Sequence, residues 1–277
     1  MSFKFCSLAS GSSGNSEYIE TDHAKILIDA GLTGKKIEGL LKSISVDPYD
    51  LDAILITHEH ADHIKGAGVL SRRYNIPIIA NIDTWYAMDE KIGKVADNNI
   101  YVFKNNEYFN FKDLDILPIA TSHDSASSCG YIINKDNKKI SIVTDIGVTD
   151  DFLMENILDS KLYFIEANHD IDMLRYGKYP MRLKQRIASN RGHLSNDACA
   201  DILADSLRGN HEFVKLAHLS RENNTEKIAY DTVNNYLTSL GLDTKRDISL
   251  GVAKRSEVSD VIDLEKMEEY GKNFTRN

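Results

Sequence analysis

The sequence predicts an α/β protein, a four-layer αββα sandwich built as one domain over residues 1–277. Three observations carry that expectation. Apolar runs short enough for strands alternate with helical spacing through the first half of the chain. Paired strands open the second half before helices return. No linker, low-complexity segment or repeat of fixed period interrupts the 277 residues.

Phe3–Leu8 reads as a strand, followed by the small-residue loop Ala9–Ser16. Tyr18–Glu20 and Lys25–Asp29 are strands about the turn Thr21-Asp22-His23. The Gly/Ser loop therefore opens a hairpin, not the strand–turn–helix of a nucleotide P-loop. Its backbone N–H groups and Ser12, Ser13 and Asn15 could still crowd an anion. Thr33–Ile44 has helical spacing, Asp47–Asp50 is a turn, and Ala53–Ile56 is a buried strand. A helix over Ile64–Tyr74, a strand over Pro77–Ala80 and a helix over Ile82–Lys91 complete the first half.

Strands are expected over Ile100–Phe103, Tyr108–Phe111 and Leu114–Ala120, then a hairpin of Cys129–Asn134 and Lys139–Val143. A helix over Thr149–Leu158 precedes the strand Leu162–Ala167. Helices follow over Ile171–Tyr176, Pro180–Ser189 and Ser195–Leu207. A strand at Phe213–Ala217, a helix at Thr225–Leu240 and a strand at Ile248–Val252 close the core. From Lys254 the polar remainder of the 254–277 stretch reads as a surface helix or tail.

Composition bounds the function. Hydrophobic residues make up 42% and charged residues 27%, ordinary for a globular protein. No apolar run is long enough to span a bilayer and the start lacks a signal-peptide core, so the expected location is cytoplasmic. Cys6, Cys129 and Cys199 are odd in number and lack zinc-finger spacing, so they read as reduced, packed thiols. A net charge of −9 argues against a broad basic surface but leaves room for a local groove.

The chemistry concentrates in Thr57-His58-Glu59-His60-Ala61-Asp62-His63. On an extended strand end residues two apart share a side, so His58 and His60 can grip one ion. Asp62 and His63 fall past the bend and can face a second. Imidazole and carboxylate suit zinc, manganese or iron, and two such ions about 3.5–4 Å apart suit hydrolysis of phosphoesters.

His-x-His-x-Asp-His after a buried strand resembles the signature of the metallo-β-lactamase fold superfamily, which implies the αββα sandwich of that type. The resemblance extends over Ser7–Ser16, Thr57–His63, Thr121–Asp124, Phe164–Asp170, Tyr179–Ser195 and Ala217–Asn224. It is strongest to the YycJ (WalJ)-type nucleases of Gram-positive bacteria. It implies His58, His60 and His123 on one ion, Asp62, His63 and His218 on the other, and Asp145 between them. Asp29 would orient the histidine loop, and Asp62 would count among the catalytic residues as well as the ligands. Two divalent ions, zinc or manganese with iron also possible, would make water nucleophilic at neutral pH.

A resemblance to ribonuclease Z-type enzymes of the same superfamily makes His193 the acid that protonates the departing oxygen and Glu166 its partner carboxylate. Arg221, Asn223 and Asn224 could bind phosphate, and His169 could line the substrate channel. An aspartate at 145, where lactamases of this fold carry cysteine or histidine, argues against lactam cleavage. The expectation is a metal-dependent phosphodiesterase, a 5′-to-3′ exonuclease with DNA as partner more than RNA. The alternative is a small-molecule hydrolase of the same fold, acting on a cyclic phosphodiester or a thioester.

Overall fold

The computed structural model describes residues 2–266 and resolves them into two compact units. One comprises residues 2–119, Ser125–Cys129 and Lys254–Glu265; the other holds Ala120–Asp124 and Gly130–Ala253.

The first unit begins with β1 (Phe3–Ala9), β2 (Ser16–Thr21) and β3 (Lys25–Ile28), an antiparallel meander. Helix α1 (Gly34–Ser43) crosses to β4 (Ala53–Leu55), parallel to β3. The expected helix over 64–74 is two helices, α2 (Ala61–Ile64) and α3 (Ala67–Tyr74). The break falls at Gly66, whose N–H leaves the helical ladder for the Ala30 carbonyl at 2.7 Å. A side chain there would meet the Leu32 carbonyl oxygen at 2.4 Å, so the chain can pass only with glycine. β5 (Ile78–Asn81), α4 (Ile82–Ile92) and β6 (Ile100–Phe103) follow, with β5 and β6 continuing the parallel part of the sheet. α4 starts where the Asn81 side chain accepts from the Thr84 N–H. The hairpin β7 (Phe109–Phe111) and β8 (Leu114–Ala120) ends this stretch.

The second unit is built on β9 (Cys129–Lys135), antiparallel to β10 (Lys138–Val143). Next come α5 (Asp151–Ile157), β11 (Leu162–Glu166), α6 (Ile171–Tyr176), α7 (Met181–Ile187) and α8 (Asn196–Ser206). β12 (Glu212–Ala217), α9 (Glu226–Ser239) and β13 (Ile248–Val252) complete it. β10, β11, β12 and β13 run parallel in that order, so their carboxyl ends share one edge. That edge delivers Asp145, Glu166 and His218. Helix starts follow from side-chain caps: Asp150, Asp170, Ser195 and Thr225 each accept a backbone N–H three residues on.

The polar end departs from the expected surface helix or tail over its described part. Ile262–Asp263 forms β14, antiparallel to β1 in the first unit, and Ser259 bonds to the Ser7 carbonyl at 2.8 Å. Residues 267–277 lie outside the described part. Both sheets are mixed. In the first unit, Leu8, Leu27, Ile54, Ile78, Ile37 and Leu70 are fully buried in one cluster, joining the sheet to α1 and α3. Among the described residues no helix is long and apolar enough to cross a membrane.

Candidate metal centre and catalytic histidine

In the first unit three loops are sewn together around the histidine motif. The Asn15 N–H donates to the Asp62 carbonyl, the Ala30 N–H to the His63 carbonyl, and the Gly31 N–H to the Asn15 carbonyl, each at 2.8 Å. Asp29 leaves β3 with φ 61°, a left-handed conformation that aspartate tolerates better than most residues. From there its buried carboxylate accepts the Thr57 N–H at 2.8 Å, the Thr57 hydroxyl at 2.7 Å and His63 Nδ1–H at 2.6 Å. The Thr57 hydroxyl, its proton committed to Asp29, sits 3.0 Å from His58 Nδ1 and takes that N–H.

The Nε2 atoms of His58 and His63 are thereby left as lone-pair donors, the tautomer a metal-ligating imidazole requires. The His58 ring lies 4.5 Å from that of His60 and 4.1 Å from that of His63, centre to centre. Asp62 Oδ2 lies 3.7 Å from His63 Nε2. Asn15 is buried and structural as well as polar. Its Oδ1 accepts the Gly11 N–H at 2.7 Å, and its Nδ2 lies 3.1 Å from His63 Nε2 and 3.3 Å from the Asp62 carbonyl. Ser12 and Ser13 stand exposed at the loop tip. Glu59, between the two leading histidines, is buried and accepts the Ala126 N–H at 3.0 Å.

In the second unit the organising group is Glu166, wholly buried at the end of β11. One oxygen accepts Nδ1–H from both His193 and His218 at 2.8 Å. The other accepts the Ile146 N–H at 3.0 Å and the Leu194 N–H at 3.3 Å. Burial alone would raise the Glu166 pKa, but the two imidazoles hold it below the usual carboxylate range. Burial would likewise lower His193, and the Glu166 charge outweighs it, so His193 stays protonated above its ordinary value. Asp145, Glu166, His193 and His218 lie close enough for a metal cage. The 2.8 Å Nδ1–O contacts instead make Glu166, His193 and His218 a hydrogen-bonded trio, with the Glu166 oxygens already spent on protons.

Asp145 Oδ1 lies 3.6 Å from His123 Nε2 and 3.6 Å from His218 Nδ1. His123 Nδ1 donates to the Gly192 carbonyl at 3.1 Å, and the Arg191 guanidinium holds the His123 carbonyl at 3.1 Å. The loop that carries His193 thus also orients His123, and burial lowers the His123 pKa, favouring the neutral ring. Both Asp145 (φ 55°) and His218 (φ 54°) are left-handed. The donor set of imidazoles in fixed tautomers beside carboxylates fits a divalent ion.

Of the expected phosphate-binding residues, Arg221 is exposed. Asn223 is buried, with its N–H on Ser220 Oγ at 3.2 Å. Asn224 spans the Ala167 and Asn168 carbonyls and Asn196, so it pins the loop after His218 to β11. His169 is buried, and burial pushes its pKa down to about 4. Sequence reasoning paired Glu166 with His193 alone. It missed that the same carboxylate holds His218, and it missed Thr57 and Asn15 as braces of the histidine loop. A threonine directly before the motif was the available signal.

The sequence pattern of the metallo-beta-lactamase superfamily matches residues 9–171. The chain is 46% identical over 242 residues to the exodeoxyribonuclease WalJ of Streptococcus pneumoniae (strain D39), covering 87% of this chain and 90% of that one. It is 38% identical over 260 residues to the exodeoxyribonuclease YycJ of Bacillus anthracis, covering 94% and 96%. Solved structures of the same fold include the metallo-beta-lactamase fold protein YhfI of Bacillus subtilis, with a TM-score of 0.70 at 15% identity, covering 95% of this chain and 99% of that one. Human tRNase Z, short form, gives 0.61 at 15% identity, covering 93% and 98%. The chain therefore belongs to the metallo-β-lactamase superfamily and has its fold, in the branch of the WalJ and YycJ proteins.

Proposed function

We propose that the protein is a metal-dependent exonuclease that removes mononucleotides from the 5′ end of DNA. The observation that carries this reading is the buried Glu166 carboxylate, which holds an imidazole of ligand type (His218) and a protonated imidazole (His193) from one oxygen. A hydrolase whose leaving group needs no proton has no use for the second. Phosphodiester cleavage expels a poorly stabilised alkoxide and does. The relatives named exodeoxyribonucleases add the substrate class.

His58, His60 and His123 would hold one divalent ion, Asp62, His63 and His218 a second, with Asp145 shared. This assignment rests on the family pattern and on the donor set within each unit. Ions there supply a nucleophilic hydroxide at neutral pH and offset phosphate charge. Asp29 and Thr57 keep the histidine loop in its ligating tautomers. Asn15 can turn its amide from His63 Nε2 to the Asp62 carbonyl, already 3.3 Å away, when His63 gives its lone pair to an ion. Asp62 also serves catalysis by orienting the attacking group. His193 keeps its proton on Nε2 through the Glu166 contact on Nδ1 and delivers it to the departing oxygen.

The test supplies manganese or zinc to the chelated protein with 5′-labelled duplex DNA and RNA. Release of mononucleotides from the 5′ end of DNA is the expected result. Absence of any nucleic-acid cleavage, with turnover of a cyclic phosphodiester or a thioester, would replace the reading with that of a small-molecule hydrolase. For the acid, His193→Ala should slow DNA cleavage by about 10²–10⁴-fold and spare a nitrophenyl ester, whose leaving group departs unaided.

A further inference from the structure

Beside His193 the second unit carries an open pocket of about 470 Å³ to which the chemistry above assigns no occupant. Its walls come from the stretch between β11 and α8: Ile171 and Leu174 of α6, Met181 of α7, Ala198 of α8, and the rings of His169 and His193. Two cations stand on its rim, Arg175 and Lys184. Arg175 is exposed, with only a loose 3.7 Å contact to Asp172. Lys184 donates one proton to the Arg175 carbonyl at 2.8 Å and keeps two N–H groups for another acceptor. His169 is 4% exposed and its Nδ1 has no hydrogen-bond partner among the described residues. A buried nitrogen in that state costs free energy unless a ligand satisfies it.

The volume lies in the lower half of the range of about 300–1,000 Å³ for pockets that take one small ligand. It suits one nucleotide and not a run of them. Apolar walls with an unmet polar nitrogen match a base and sugar, and paired cations at the mouth match a phosphate.

Resting on the exonuclease reading, we infer that this cavity receives the 5′-terminal nucleotide, the one about to leave, with its 5′-phosphate on Arg175 and Lys184. The stoichiometry of the cut agrees. Hydroxide adds to the phosphorus between the first and second nucleotides and the P–O3′ bond breaks. O3′ of the terminal nucleotide keeps the bonding pair and takes the His193 proton. The leaving group is thus the terminal nucleoside 5′-phosphate, on the His193 side, where the cavity lies. Water returns the proton to His193, and the shortened strand carries a new 5′-phosphate for the next cycle. A pocket that admits one nucleotide next to the acid confines cleavage to the end of a strand.

The experiment compares the manganese-loaded full chain with Arg175→Ala/Lys184→Ala and with Ala198→Phe, which fills the cavity from a partly exposed helix position. Substrates are otherwise identical duplexes with 5′-phosphate or 5′-hydroxyl ends, and deoxyadenosine 5′-monophosphate serves as inhibitor. The unchanged protein should favour the 5′-phosphate by about tenfold, a difference of one charged contact. The double variant should lose that preference, and Ala198→Phe should weaken nucleotide inhibition by about tenfold or more. Melting curves identify any variant that fails to fold, and the other variant then decides. DNA cleavage that keeps its 5′-end preference and its nucleotide inhibition in the folded variants overturns the cavity assignment alone. If the unchanged protein cleaves no DNA, the exonuclease reading falls and the cavity assignment falls with it.

Discussion

Replacing Glu166 by glutamine changes one oxygen for an NH₂ and removes one charge from the most connected group of the second unit. The carboxylate accepts four N–H donors, two imidazole on one oxygen and two backbone on the other. An amide offers one acceptor end, so either orientation turns its NH₂ against two donors. Facing the backbone, it strands the Ile146 and Leu194 N–H groups, at about 1–3 kcal/mol each. Facing the imidazoles, it forces His218 into the other tautomer, with its proton on Nε2 where a metal must bind. The protein should lose roughly 2–6 kcal/mol in the first case, a melting temperature lower by about 10 °C, and remain folded.

The kinetic consequence is separable. Without the carboxylate, burial dominates at His193 and drops its pKa below the ordinary value. The alkaline limb of kcat on DNA, set by loss of the His193 proton, should move to lower pH. At pH 8 kcat should fall by about 10²–10³-fold, while a nitrophenyl phosphodiester loses far less. Stability carries the same signature. In the chelated protein the lowered Glu166 pKa contributes above about pH 4.3, and the raised His193 pKa contributes below about pH 6.5, its ordinary value. Melting temperature should be highest between those values, falling as acid protonates Glu166 and as base strips His193, and Glu166→Gln should flatten the profile. Wild-type melting, an unmoved alkaline limb and equal losses on both substrates would refute the account of Glu166.

Three further outcomes follow. Asp29→Asn keeps a residue tolerant of φ 61° but removes the charge that fixes the tautomer of His63. Zinc or manganese affinity, read by competition with a chromophoric chelator, should fall by about 10–100-fold. Gly31→Ala would set a Cβ 1.6 Å from the Asp62 carbonyl oxygen. The loops must part, so metal affinity and melting temperature should drop together, by about 3 kcal/mol or more in stability. All three cysteines are buried and burial raises the Cys6 and Cys199 pKa values, so a thiol reagent should react only after denaturant is added.

Much of the fold was legible because its strands are short aliphatic runs and its helices carry capping residues. Ser195, where the expected helix begins, caps it by accepting the Ala198 N–H. The helix break at Gly66 was not legible, because it depends on how near Leu32 passes, a distance between segments over thirty positions apart. The motif from Thr57 to His63 announced itself by residue type. The grip of Asp29 on it came only from resemblance, since a strand-end aspartate has no pattern of its own. That Glu166 serves two histidines could not be read at all. It follows from β11 and β12 running parallel in register, with Glu166 beside Ala217 and so within reach of the next residue, His218.

Asp29, Asp145 and His218 each turn left at the end of a strand, against the steric preference of any side chain with a Cβ. Such a conformation costs about 1–2 kcal/mol per residue, so the three together hold back several kcal/mol of stability. Glycine in their place would relax the backbone and leave no donor atom behind. At Asp29 glycine would also strand the buried Thr57 and His63 donors, so the relaxed backbone would gain nothing and the left-handed turn persists where the carboxylate is needed.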